Sequence, residues 1–265
     1  MIPGAQPTIY HVKEADTWQR IDGAVIEETT VCIYVNGCEV VTLMASPIDL
    51  DALAVGFLYT EGLIRRLEDV EMVKESPQGN CVDVWLRDAV PPLPHCVIRT
   101  SGCSGGVTFD DLTAWREPLP HGNGVGSQQV IDRYLELRAT EVLYPLARGV
   151  HASALCTPDA NLLWAEDVGR HNTLDKIAGK ALLQGIDTTG CMIVTTGRVS
   201  SEMMGKAAKM GVNVVASRTS PTSRSLALAR AWNITVIGYL RRDSFRLYTV
   251  PERILSPMQE VVAVQ

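Results

Sequence analysis

Basic residues are in deficit: the 265-residue chain has 24 Lys and Arg against 30 Asp and Glu, a formal charge of −6. It lacks the cationic excess with which a general nucleic-acid binder neutralises phosphates, although a local pocket for one small anion remains open. Long apolar runs are also missing. No stretch reaches 18 apolar residues, so no membrane span is expected. The opening Met-Ile-Pro-Gly-Ala-Gln-Pro has no basic segment leading into an apolar one, so we expect no secretory signal and a cytoplasmic protein. The 7 cysteines are odd in number and scattered, unlike the dense, even set of a secreted disulfide scaffold, and reduced thiols are expected. Aromatics reach only 6%, but 46% hydrophobic and 20% charged residues exclude disordered, collagenous and coiled-coil classes. There is no internal repeat and no low-complexity tract.

What is present divides the chain in two. Near its start, Val31 to Val35 and Cys38 to Leu43 flank Asn36-Gly37, residues that tolerate the positive φ angles of a tight hairpin. Ser46, Pro47 and Asp49 then read as an N-cap, a first-turn proline and a carboxylate at the positive end of a helix running to about Gly62. Asn80 to Leu86 reads as a strand, and this half is α+β. The Pro- and Gly-rich segment 116–127 reads as a linker or exposed loop, after which Ser127 caps a helix to about Leu143. Beyond it, 149–156 and 161–166 form a hairpin and 172–183 a helix. Short strands (192–196, 212–217, 234–240) then alternate with helices (201–210, 222–232), the pattern of parallel βαβ units. We expect a smaller α+β domain over 1–125 and an α/β domain over 126–265.

In an open α/β sheet, ligands bind beyond the carboxyl ends of the strands. Two consecutive loops there are unusual. Thr195 to Glu202 packs Gly197, Arg198, Ser200 and Ser201 into a helix start, and Ser217 to Ser223 repeats the type with Arg218, Thr222 and Ser223. Free N–H groups, hydroxyls and a guanidinium suit a phosphate or pyrophosphate. Ser and Thr also cap helices routinely, but two adjacent loops with an arginine each favour the anion reading. A third cluster, Glu166 to Lys176, puts Arg170 where it can meet a phosphate, with His171 and Asp175 on one helix face, where the carboxylate can orient the imidazole. An exposed, salt-bridged first turn explains that cluster equally well. His151, alone in an apolar strand, reads as a core histidine. Among the cysteines, Cys103 lies in a Gly/Ser loop (Arg99-Thr100-Ser101-Gly102-Cys103-Ser104-Gly105-Gly106) where little can cover its sulfur, and exposure beside a cation is what frees a thiolate. A buried thiol beside flexible glycines is the alternative. The order of elements also suits nucleotide deaminases, but His151-Ala152-Ser153 has Ser where their zinc motif needs Glu, and no Cys-x-x-Cys exists. No metal site is expected.

Taken together, these residues resemble the FdhD family of formate dehydrogenase accessory sulfur carriers. The matching blocks are Met44-Ala45-Ser46-Pro47 with Gly56 to Gly62, Arg99 to Gly106, and Gly149 to Ala152. Glu166 to Asn172 with Leu174-Asp175-Lys176 and Gly197 to Met203 follow, and Ser217-Arg218 with Pro221 to Ser223 and Gly238 to Thr249 complete the set. The resemblance implies a cytidine-deaminase-like three-layer α/β/α fold for the C-terminal half, in a homodimer. It implies transfer of sulfur from a cysteine desulfurase, through a cysteine persulfide, to molybdenum or tungsten in a bis(molybdopterin guanine dinucleotide) cofactor, ahead of its insertion into formate dehydrogenase. Cys103 takes the persulfide position. Arg170, His171, Arg198, Ser200, Ser201, Arg218, Thr222 and Ser223 would hold phosphates and guanines, and Tyr239, Leu240, Arg241, Arg242, Asp243 and Ser244 fall on a cofactor-binding segment. Many members have Cys-x-x-Cys in the loop, whereas here Gly105 and Gly106 follow a single cysteine, which excludes a two-thiol relay within the loop. A non-catalytic cofactor-binding chaperone, with Cys103 inert, is the runner-up reading. A nucleotide hydrolase ranks third, because the sequence displays no metal triad and no base–nucleophile pair.

Overall fold

A computed structural model describes residues 2–77, 80–88 and 116–255, with the backbone alone at 98–99 and 107–108. Chain order begins with a hairpin of two ten-residue strands, β1 (Ala5–Glu14) and β2 (Thr17–Ile26), that the alternation of the sequence had not suggested. It continues with β3 (Thr29–Val35), β4 (Cys38–Ala45), α1 (Leu50–Thr60), β5 (Val70–Glu75) and β6 (Cys81–Leu86). The expected hairpin is β3–β4, with Asn36 at φ 50° and Gly37 at φ 78° in its turn. The sheet order is β4-β3-β6-β5, with β3 and β6 parallel. Its inner face (Val31, Ile33, Val35, Val82, Val84) packs on Leu53, Phe57 and Leu58 of α1, a period-2 face against a helical stripe.

Helix α1 starts later than the sequence implied. Its N-cap is Asp49, in the left-handed region at φ 52°, and the Asp49 carboxylate pairs with Lys180 at 2.7 Å instead of facing the helix dipole. Ser46 is drawn off by tertiary partners: its N–H donates to Asp167 and its hydroxyl accepts from the N–H of Val168.

After short pairs β7 (Ile98–Arg99) and β8 (Val107–Thr108) come β9 (Val125–Gly126), α2 (Ser127–Thr140) and α3 (Leu143–Ala147), then β10 (His151–Cys156) and β11 (Asn161–Asp167). Gly126, not Ser127, is the N-cap of α2. Next are α4 (Arg170–Gln184), β12 (Met192–Thr195), α5 (Ser201–Lys209), β13 (Val214–Ser217), α6 (Ser223–Ala231), β14 (Thr235–Gly238), β15 (Arg246–Leu247) and β16 (Ile254–Leu255). The sheet order is β11-β10-β12-β13-β14-β15, and β12, β13 and β14 are parallel as expected. This sheet is buried on both faces. Ile193, Val215 and Val236 face α4, α5 and α6; Met192, Val194, Val214 and Ile237 face Val130, Ile131, Tyr134 and Leu137 of α2. Helices thus cover both sides of a mixed sheet.

Segment 116–124 has no regular structure, but it is tethered instead of being a free linker. Leu119 exchanges backbone and side-chain bonds with Trp232 and Asn233, and the buried Arg253 donates to the carbonyl of His121. The two halves meet at α1 and α4, where a Cβ on Gly56 would lie 1.7 Å from the Asp175 carbonyl and one on Gly179 would lie 1.9 Å from that of Ala52. The helices therefore cross with their backbones in contact.

Candidate functional site

The two hydroxyl-rich loops after β12 and β13 form one surface. The N–H of Val199 donates to the Ser220 carbonyl and that of Thr222 to the Val199 carbonyl; Ser217 Oγ donates to the Gly197 carbonyl at 2.6 Å. The segment after β14 lies against the second loop: the N–H groups of Tyr239 and Leu240 donate to Thr219 and Ser217, and the Arg241 guanidinium clamps the carbonyl of Arg218 at 2.6 Å. The start of α4 closes the other side, because Gly197 packs on the Arg170 side chain, where a Cβ would come within 2.7 Å of it. His171 Nε2 lies 3.2 Å from Ser200 Oγ. The N-termini of α4, α5 and α6 are thereby gathered at one edge of the sheet, each adding positive potential.

Roles divide within each motif. Thr195 and Thr196 are structural: with Ser153 and Thr173 the first forms a buried hydroxyl network, and the second accepts from the N–H of Ala152. Thr222 Oγ1 caps α6 by accepting from the N–H of Ser225. Ser200 is buried, Arg198 and Ser223 are exposed at the surface, and Arg218 is half-buried. In the third cluster Asp167, Asn172 and Lys176 hold the fold together. Asp167 pairs with the fully buried Lys176 at 2.6 Å, Lys176 donates to the Ser46 carbonyl, and Asn172 donates to the carbonyl of Met44. Two blocks more than a hundred residues apart are thus one structural unit, and only Arg170 and His171 of the later block turn toward the loops.

Asp175 does not orient His171. It accepts from Thr60 at 2.6 Å and from Lys206 at 2.8 Å, in a buried cluster that also pairs Lys206 with Glu61. Burial works against the Lys206 charge, but Asp175 and Glu61 outweigh it and hold the ammonium above its ordinary value. This cluster pins α4 and α5 together one turn below the site. The carboxylate nearest His171 is Glu202, at 3.9 Å. Burial, then Arg170, Lys206, His151 and Arg198, push His171 down to about 3. It is a neutral imidazole suited to hydrogen bonding. Although the structure brings a histidine and a serine together, so acidic an imidazole is a poor base for activating that hydroxyl, and the hydrolase reading gains nothing.

Around the loops, His151 was misread in the sequence, Tyr144 went unnoticed, and the 239–244 segment falls where the resemblance implied. His151 is half-buried, and burial and the charge of Arg170 hold its pKa down, so it borders the site instead of lying in the core. The Arg218 side chain lowers the phenol pKa of Tyr144, with help from Arg138 and Arg148, and Arg138 stacks over its ring at 4.5 Å. Arg148 adopts φ 56° ahead of Gly149 at φ 69°, an irregularity that an Arg-Gly pair before a strand signals only weakly. A cleft of about 360 Å³ is lined by Tyr239, Arg241, Ser244, Phe245 and Arg246, with Arg246 stacked over the Tyr239 ring at 4.1 Å. Arg242 and Asp243 are exposed beside it, whereas the Leu240 side chain is in the core. Among the described residues, no group of three or more His, Cys, Asp or Glu is arranged to hold a metal ion. Cys103 and its loop lie outside the described residues.

Cationic loops, gathered helix starts and an aromatic cleft form one edge. The FdhD/NarQ family model matches residues 26–255. The chain belongs to the FdhD/NarQ family. The sulfur carrier protein FdhD of Shouchella clausii is 34% identical over 89% of this chain and 91% of its own length. That of Bacillus subtilis is 32% identical over 89% and 92% respectively. A solved structure from Desulfotalea psychrophila, described as a formate dehydrogenase accessory protein, superposes with a TM-score of 0.81 at 28% identity, covering 96% of this chain and all of that one. Two of the FdhD-type blocks reach the edge described above, the first through Arg170 and His171 and the second through the loop that begins α5. No helix among the described residues is long and apolar enough to cross a membrane.

Proposed function

We propose that this chain is a sulfur carrier for formate dehydrogenase, acting as a sulfurtransferase on the enzyme's cofactor. Cys103 takes sulfane sulfur as a persulfide from a cysteine desulfurase. The sheet edge holds the molybdenum or tungsten bis(molybdopterin guanine dinucleotide) as substrate while that sulfur is delivered, in a cytoplasmic homodimer that then serves the dehydrogenase. The observation that carries the reading is the joining of the loops 195–202, 217–223 and 239–246 through backbone hydrogen bonds into a single cationic edge on an otherwise acidic protein. Arg170, Arg198 and Arg218 suit phosphates, Ser200, Ser201 and Ser223 supply hydroxyls, and the Tyr239–Arg246 cleft suits a flat base. Arg198→Ala should weaken binding of a guanine nucleotide by ~1.5–3 kcal/mol, the range for a hydrogen bond to a charged group; calorimetry that finds unchanged affinity removes Arg198 from the site.

The single loop cysteine favours one competing reading, a cofactor chaperone that binds without transferring sulfur. Mass spectrometry after incubation with a cysteine desulfurase and cysteine separates the two. A sulfur adduct confined to Cys103 supports the carrier, and its absence supports the chaperone, because one nucleophilic sulfur suffices for a carrier.

A further inference from the structure

The N-terminal sheet holds a pair of thiols that the cofactor site does not use. Strands β3 and β6 are parallel neighbours, and their register sets Cys32 directly against Cys81. Neighbouring strands lie about 4.8 Å apart, inside the ~4.4–6.8 Å Cα separation that a disulfide spans. Alternation places both side chains on the same face. Val31, Ile33, Val82 and Val84 point into the core against α1, so Cys32 and Cys81 point away from it, and both are half-buried. Thr42 Oγ1 donates to Cys32 Sγ at 3.3 Å. Burial first, then the adjacent Cys32 sulfur, raises the Cys81 thiol, as expected of two sulfurs sharing one site. The remaining described cysteines differ: Cys156 and Cys191 are buried, and Cys38 is exposed at the hairpin turn.

We infer that Cys32 and Cys81 form a cross-strand dithiol, a modification site for small-molecule disulfides that is separate from Cys103. With oxidised glutathione, one thiolate attacks a glutathione sulfur and expels the other glutathione as thiolate, forming a mixed disulfide. The second protein thiol loses its proton to solvent, attacks the protein-side sulfur of that mixed disulfide and expels the remaining glutathione. Two protein thiols are oxidised to one disulfide, one glutathione disulfide is reduced to two thiols, and the two protons released end on them. The register makes the second attack intramolecular, so the mixed disulfide should not accumulate.

Peptide mapping of the intact protein tests this. Fully reduced protein is treated with oxidised glutathione, the thiols are blocked, and the chain is digested with trypsin without reduction. Cys32 and Cys38 share one tryptic peptide (21–65) and Cys81 lies in another (75–87), so the mapping is run on the wild type and on Cys38→Ser. The expected product in both is a 21–65/75–87 cross-link lacking two hydrogens, reversed by dithiothreitol, with glutathione retained at Cys38 in the wild type alone. The cross-link should fall to background in Cys32→Ser and in Cys81→Ser, where the surviving thiol keeps its glutathione. Separate, stable glutathione adducts on Cys32 and Cys81 in Cys38→Ser, or two unmodified thiols there while the urea-unfolded chain reacts, would overturn the assignment.

Discussion

Substituting Gly56 by alanine sets two effects of opposite sign against each other. In an isolated helix the change is favourable by about 0.8–1 kcal/mol, because alanine loses less backbone entropy than glycine. Here the new Cβ would sit 1.7 Å from the carbonyl oxygen of Asp175, 2.6 Å from its carbonyl carbon and 2.6 Å from the N–H nitrogen of Gly179. All three are backbone atoms, so no side chain can swing aside, and α1 must retreat from α4 by roughly 1.5 Å to restore ordinary contact. Inserting one methyl into a close-packed interior costs ~1–3 kcal/mol. Separating the helices also loosens the buried bonds from Thr60 and Lys206 to Asp175, which span the same crossing. We expect a net loss of ~2–4 kcal/mol, which for a chain of this size is a fall in Tm of about 5–15 °C. Calorimetry or circular dichroism on wild type and Gly56→Ala, with Gly179→Ala as the reciprocal probe, measures it. Since Arg170 and His171 begin α4, nucleotide affinity should fall in parallel. A Gly56→Ala protein as stable as wild type would mean that helix propensity has won and that the helix backbones do not touch.

Replacing Lys206 by methionine leaves Asp175 and Glu61 buried without their cation. Breaking such a pair from one side costs ~3–5 kcal/mol, and urea denaturation should show the loss growing from pH 5 to pH 8 as the orphaned carboxylates are forced to ionise; a loss below about 1 kcal/mol at both pH values would show that the cluster is solvated. For His171, held down at about 3 in the folded chain against about 6.5 unfolded, the unfolded state binds the extra proton between those values. Its contribution is therefore full above pH 6.5 and shrinks by up to ~1.4 kcal/mol per pH unit as the pH falls toward 3. His171→Gln should flatten the pH dependence of stability relative to wild type across that window, and identical slopes would place the imidazole in solvent. Tyr144→Phe, by removing the phenol whose pKa Arg218 lowers, should weaken guanine-nucleotide binding in calorimetry by ~0.5–1.5 kcal/mol if the phenol orients the guanidinium; unchanged binding would separate Tyr144 from the site.

The parallel C-terminal strands, their helices and the two hydroxyl-rich loops were legible because each depends on local pattern: β-rich runs, helical spacing, and Ser, Thr and Gly at the junctions. The Asn36-Gly37 turn was legible for the same reason, since those residues tolerate the backbone that the turn imposes. Less local features were misread. Ser46 has the chemistry of a cap, yet Asp167 and Val168, far along the chain, compete successfully for its polar groups. Asp175 is well spaced to serve His171 along the helix, yet Lys206 and Thr60 approach it from two other helices. The β1–β2 hairpin escaped notice because much of it is exposed and no buried face imposes an alternating pattern.

By itself the sequence determined the family and the residue types at the sheet edge, because motif identity survives without coordinates. Only the tertiary structure decided which of those residues face a ligand and which brace the fold. A carboxylate, lysine or threonine has the same donors and acceptors in either role, and its partners are set by which distant segments the packing of α1 against α4 and of loop against loop brings within hydrogen-bond reach.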